Sequence, residues 1–157
     1  MIVVDPNAVA YLYLPGAFTA NAERLLERKP EWAAPLLWRS ELRNILAQYM
    51  RKGLLGFEQA FRIQREAEAL LAEHEYDMDS FDVLELARDS GCTAYDCEFI
   101  SLARRLDVKL VTVDAKLRKA FPNIAVPLSG GSNAGHEGKN AHDLERSRRA
   151  GSYASFP

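Results

Sequence analysis

The sequence is poor in the features that mark several protein classes. Two cysteines, Cys92 and Cys97, in 157 residues are too few to staple a fold of this size, which excludes a disulfide scaffold and removes any need for an oxidising compartment. No apolar run approaches the roughly 20 residues that cross a bilayer. Positive charge is not in excess: 20 Lys and Arg stand against 22 Asp and Glu, for a net charge of −2. Composition therefore gives no support for a nucleic-acid binder, which is usually strongly basic, although clustered charge counts for more than the sum. The opening residues MIVVDPNAV carry no basic stretch and meet an acid at Asp5, unlike a secretory leader. The expected address is the cytoplasm. What is present is 48% hydrophobic and 27% charged residues, the balance of a globular domain, and the length favours a single one.

Composition changes abruptly at position 129. From there to Pro157 only Leu144 and Phe156 are large aliphatic residues or Phe, and such a segment buries too little apolar area to offset the entropy of ordering it. Residues 1–128 are expected to fold, and 129–157, with Arg146, Arg148 and Arg149, to form a flexible polar tail. Within the first unit, short apolar runs at 2–4, 33–37, 76–78, 109–113 and 124–126 alternate with helical patterns at 18–29, 40–52, 57–72, 83–88 and 94–106. The segment at 40–52 has Leu42, Ile45, Leu46 and Tyr49 at helical spacing and Gly53 at its stop,. Helices between strands throughout predict an α/β fold with a parallel sheet.

In an open parallel sheet, ligands bind beyond the carboxyl ends of the strands. Two runs end there in an acid, Ile2-Val3-Val4-Asp5 and Leu110-Val111-Thr112-Val113-Asp114. Asp96 lies in the first turn of its helix, three and four residues before Phe99 and Ile100, which places it on the sheet-facing side. Glu41 lies one turn before Ile45. Each acid also has a plain structural role available. Asp5 and Asp114 suit helix N-caps, Thr93-Ala94-Tyr95-Asp96 resembles a capping box, and Glu41 suits the positive end of a helix dipole. Independent caps, however, have no reason to share one rim. Two carboxylates ~5 Å apart at an effective dielectric of ~20 repel by about 3 kcal/mol, so a cluster of them must keep protons or hold a cation. Oxygen-only ligands suit Mg²⁺ or Mn²⁺ rather than zinc.

The segments MIVVDPNAV, WRSELRNIL, TAYDCEFISLA and LVTVDAKL, in that order, resemble the four acidic motifs of a PIN domain. The likeness is to the VapC-like branch, the toxins of type II toxin–antitoxin modules, and it covers residues 1 to about 128. It implies a three-layer α/β/α fold with a central parallel sheet of four to five strands. It further implies a metal-dependent endoribonuclease whose acidic site is Asp5, Glu41, Asp96 and Asp114, with Mg²⁺ (or Mn²⁺) on Asp5, Asp96 and Asp114 and with Asn7 and Thr112 in support. RNA, with a tRNA or rRNA loop as the guess, a cognate antitoxin and a homodimeric state follow from the same resemblance. Arg43 and Lys116 are the local cations expected nearest the substrate. The alternative is a non-catalytic PIN-like module that binds RNA or protein.

Rival chemistries fit less well. A metal-free ribonuclease needs paired histidines, whereas His136 and His142 lie in the tail and His74 stands alone. A HAD-type phosphatase needs an Asp two residues after the first, where Asn7 stands, and a receiver domain needs an acidic pair beside Asp5. Cys92 and Cys97 have no nearby His and are expected as buried thiols. Trp32 and Trp38 are expected in the core. The stretch Tyr49, Met50, Leu54, Leu55, Phe57 and Phe61 exceeds one stripe's needs and is a candidate dimer or antitoxin surface.

Overall fold

Runs of valine, alanine and leucine without alternation suit strands covered on both faces, as in parallel sheets flanked by helices. A computed structural model describes residues 1–128; the tail expected at 129–157 lies outside the described residues. The elements are β1 (Ile2–Val4), α1 (Pro6–Tyr13), α2 (Thr19–Arg28), β2 (Trp32–Pro35), α3 (Trp38–Arg51), α4 (Phe57–Leu71) and β3 (Glu75–Tyr76), followed by α5 (Ser80–Ser90), α6 (Ala94–Leu106), β4 (Leu110–Thr112), α7 (Ala115–Ala120) and β5 (Ala125–Pro127). Five strands form one sheet in the order β3-β2-β1-β4-β5, and every pairing is parallel. The expected α/β fold is borne out.

The residues of β1, β2 and β4 are all buried. Register places Val3 opposite Ala33 on one side and Leu110 on the other, so β1 is the hydrophobic centre of the molecule. Helix α6 packs on β1, β2 and β4, while α1 packs on β4, α2 and α3. Trp32 and Trp38 are fully buried, and Cys92 and Cys97 are buried free thiols. Among the described residues no helix is long and apolar enough to cross a membrane.

Helix boundaries follow local chemistry. Asp79 caps α5 by accepting from the amides of Phe81 and Asp82. Gly91, at φ 67°, ends that helix in the left-handed region, where a Cβ is costly. Gly53 does the same beyond α3 at φ 68°. The periodicity does not announce α1: its buried side chains Pro6, Ala8, Val9 and Ala10 are nearly consecutive because elements cover it from several sides, so it shows no stripe. Its start is nonetheless chemically marked, with Asp5 as N-cap and Pro6 at the first helical position,.

The topology fixes where a site can form. From β1 the chain goes to β2 on one side, and it later returns to β4 on the other. The direction of winding therefore reverses between β1 and β4. A crevice opens at that reversal, at the carboxyl ends of the two strands. Asp5 and Asp114 stand there.

Candidate active site: an acidic cleft at the ends of the central strands

Asp5 follows the last residue of β1 and is 7% exposed. Its Oδ1 accepts from the Ala8 amide at 2.7 Å, and its Oδ2 accepts from the Thr112 hydroxyl and, at 3.3 Å, from the Val113 amide. Thr112, fully buried on β4, also accepts the Asp114 amide at 3.0 Å. One hydroxyl thus joins the two strand ends, and because its lone pair takes an N–H, its proton goes to Asp5. Asp114 caps α7 through Oδ1, which accepts from the Lys116 and Leu117 amides at 2.7 and 3.0 Å.

Asp96 sits half-buried in the first turn of α6. The Thr93 hydroxyl accepts the Asp96 amide at 3.1 Å and donates to Asp96 Oδ2 at 2.7 Å. The capping role anticipated for this segment is real, with the side-chain partner a carboxylate. Glu41, in the first turn of α3, differs from the other three: half-buried, it makes no hydrogen bond or ion pair to the described residues.

Capping and convergence therefore coexist. Asp5, Glu41, Asp96 and Asp114 line one cleft of about 420 Å³ together with Asn7 and Thr112. Ser40, Asn44 and Tyr95 line it too, over an apolar floor that includes Ile45, Phe99 and Leu117. No Lys, Arg or His is among the lining residues.

Uncompensated charge shows in the proton affinities. Burial pushes the Glu41 carboxyl up to about 7, helped by the negative charges of Asp96, Asp5 and Glu98. Burial also raises Asp5, against the lowering effect of its three hydrogen bonds, and Asp114 adds to the rise. Tyr11 on α1 is driven up to about 12 by its own burial and by the charge of Asp5. Perturbed acids in a cleft mark a functional site more often than a structural one.

The donor set is all oxygen and lacks a counter-cation, which fits a hard divalent ion. Among the described residues no three acidic, His or Cys side chains stand in a ready metal-holding arrangement. Asp5 and Asp114 each commit an oxygen to a helix cap. The second oxygen of Asp114, the Oδ1 of Asp96 and both oxygens of Glu41 have no hydrogen bond to the described residues, and Asp5 Oδ1, which accepts one, keeps a lone pair; these are the atoms available to an ion.

The two expected cations are placed outside the cleft lining. Arg43 is exposed and donates to the Arg39 carbonyl at 3.1 Å and the Ser40 hydroxyl at 3.0 Å. Lys116 is exposed on the first turn of α7. Sequence reasoning passed over Ser40, Asn44 and Tyr95. The signal for Asn44 was available, since it follows Glu41 by three residues and shares its helix face.

The family model described as the PIN domain matches residues 2–121, and the chain belongs to the PIN-domain family. Its similarities narrow further. Over 129 residues it is 33% identical to Ribonuclease VapC3 of Pyrobaculum aerophilum, covering 80% of this chain and 98% of that protein. The crystal structure of PAE2754 from Pyrobaculum aerophilum superposes with a TM-score of 0.65 at 21% identity, over 81% of this chain and 83% of that one. A toxin–antitoxin complex from Klebsiella pneumoniae gives 0.61 at 17% identity, over 82% and 98%. At those identities the two structures speak for the fold alone.

Proposed function

We propose that this chain is a metal-dependent endoribonuclease that hydrolyses RNA phosphodiester bonds, the cytoplasmic toxin of a VapBC-type toxin–antitoxin pair. The observation that carries the reading is Glu41, a carboxyl with no hydrogen bond among the described residues and an affinity for protons near neutrality, facing Asp5, Asp96 and Asp114 in a cleft without cations. The similarity to Ribonuclease VapC3 gives that cleft its substrate class.

Asp5, Asp96 and Asp114 would hold Mg²⁺ or Mn²⁺. Such an ion would supply Lewis acidity toward the scissile phosphate and would lower the pKa of a nearby water. Glu41 orients the attacking water and accepts its proton at a carboxylate oxygen. Thr112 and the amides of Ala8 and Val113 hold the Asp5 carboxylate in one orientation. The P–O bond to the 3′-oxygen breaks as that oxygen takes a proton from solvent, leaving a 5′-phosphate and a 3′-hydroxyl. Arg43 and Lys116, flanking the cleft in sequence, are the proposed phosphate contacts, with Asn7 in support of the acids.

A protein partner is supported by apolar exposure. Leu54, Phe57 and Phe61 are 53%, 68% and 55% exposed, and the two rings stack 6.2 Å apart. This is the face proposed for a cognate antitoxin or a second copy.

The test is cleavage of cellular RNA by the purified protein with Mg²⁺, Mn²⁺ or EDTA, followed by 5′-end mapping. Wild type is expected to leave discrete new ends that EDTA removes, and Asp96→Asn to leave none while melting at the wild-type temperature. Identical maps for wild type and variant would favour a non-catalytic binding module instead.

A further inference from the structure

One wall of the cleft carries a residue that the acid chemistry does not use. Tyr95 occupies the first turn of α6, immediately before Asp96, and lines the same cleft as the four acids. Its side chain is 64% exposed, and it has no hydrogen bond, ring contact or ion pair with the described residues. The other tyrosine rings among the described residues behave differently. Tyr11 stacks on Phe18 with centroids 4.9 Å apart, Tyr76 lies under the Arg105 guanidinium at 5.1 Å, and Tyr13 and Tyr49 pack against the core. A large ring left in water beside a functional cleft costs apolar exposure with no return inside the folded chain. Besides the acids, the polar lining of the cleft includes Asn7, Ser40 and Asn44, which supply amide and hydroxyl groups and no charge.

A nucleic-acid backbone calls for cations, which this lining lacks. An unpaired nucleobase calls for a flat π surface beneath it and for neutral donors and acceptors at its edge. Accordingly, and resting on the ribonuclease reading above, we propose that Tyr95 is the stacking platform for the nucleobase next to the scissile phosphate. Because the ring belongs to the residue beside Asp96, a base seated on it brings its own phosphate to the acids. Such seating requires a base free of its duplex partner, so Tyr95 selects unpaired nucleotides at the cut.

The experiment compares wild type, Tyr95→Phe and Tyr95→Ala on a labelled, unstructured 20-nucleotide RNA and on versions carrying a single abasic ribose at each position near the cut. Cleavage is followed with Mg²⁺, and binding by fluorescence anisotropy with Ca²⁺ in its place. Tyr95→Ala is expected to raise KM and Kd by about tenfold, which is about 1.4 kcal/mol and within the range for one stacked base. Tyr95→Phe is expected to stay within about twofold of wild type. One abasic position should weaken wild type by a similar factor and leave Tyr95→Ala unaffected. Equal affinities for wild type and Tyr95→Ala, an equally impaired Tyr95→Phe, or an abasic penalty that persists in Tyr95→Ala would overturn the proposal. A change in oligomeric state in Tyr95→Ala would overturn it too, by assigning the ring to a protein contact. Absence of RNA cleavage by wild type contradicts the ribonuclease reading, and the anisotropy arm still decides the role of Tyr95.

Discussion

Two glutamates near the start of α3 are treated in opposite ways by the same fold. Glu75, on the edge strand β3, takes a two-pronged hydrogen bond from Arg39 and a third, at 2.7 Å, from the Trp38 indole. The Arg39 guanidinium holds its carboxyl below the usual range. Glu41 sits two residues after Arg39, makes no hydrogen bond or ion pair to the described residues, and is pushed up to about 7. The difference teaches where the chain makes a charge safe and where it leaves one unsatisfied. At the sheet edge, Glu75 pins α3 to β3 and makes the first turn of the helix rigid. On the cleft side of that rigid turn an acid is held among other acids, at a cost that a bound divalent ion would remove. The paired and the unpaired carboxyl stand 34 positions apart in the chain.

The sharpest way to break the contrast is to give Glu41 the cation it lacks. Asn44→Arg places a guanidinium one turn away on the same face. The variant is expected to lose at least ~100-fold in RNA cleavage, a loss on the scale of removing one electrostatic stabiliser of a transition state. Its melting temperature should rise and should no longer respond to Mg²⁺. Full activity in Asn44→Arg would mean that the acids need no exogenous cation.

Removing the structural partner should act on stability. Glu75→Gln leaves Arg39 and the Trp38 N–H with a weaker acceptor. Because Arg39 is partly solvated, the expected cost is about 1–2 kcal/mol. That is a drop of about 3–6 °C in melting temperature for a domain of this size, read by calorimetry. An unchanged melting temperature would show that the clamp is decorative.

The smallest effect is a pH dependence of opposite sign. A carboxyl raised in the folded state costs nothing below its unfolded value near 4.5; the cost grows as pH rises toward about 7 and is constant above,. Glu41→Gln should therefore match wild type near pH 4.5 and melt a few degrees higher at pH 8. Glu75, whose folded value is lowered, stabilises above its unfolded value and loses that contribution as pH falls through the folded one. The Glu75→Gln deficit should accordingly shrink in acid. Melting curves carried from pH 8 down to well below pH 4 for both variants separate the two cases.

Sequence alone carried the helix–strand alternation far, and for a physical reason: α6 spans residues 94–106 as the periodicity predicts because Thr93 caps it and Phe99, Ile100 and Ala103 form its buried face. It missed α1, whose buried face is too broad to show a period. It could not supply the strand order β3-β2-β1-β4-β5, which helix packing over the sheet decides and no local segment encodes. At the site, the four acids were legible because two end strands and two begin helices. The unequal treatment of Glu41 and Glu75 was not, because Arg39 and Glu75 are 36 residues apart in sequence. Asn44 and Tyr95, though they stand inside the recognised motifs, received no site role because neutral side chains leave no mark until a cavity places them together.

The charge state of Glu41 decides whether the cleft holds unsatisfied negative charge. Carboxyl ¹³C chemical shifts, followed from pH 4 to 9 with and without millimolar Mg²⁺, would read it. The prediction is a midpoint near 7 without metal that falls well below that value when Mg²⁺ is present, with Glu75 unmoved. A Glu41 midpoint near the ordinary 4.5, indifferent to Mg²⁺, would contradict it.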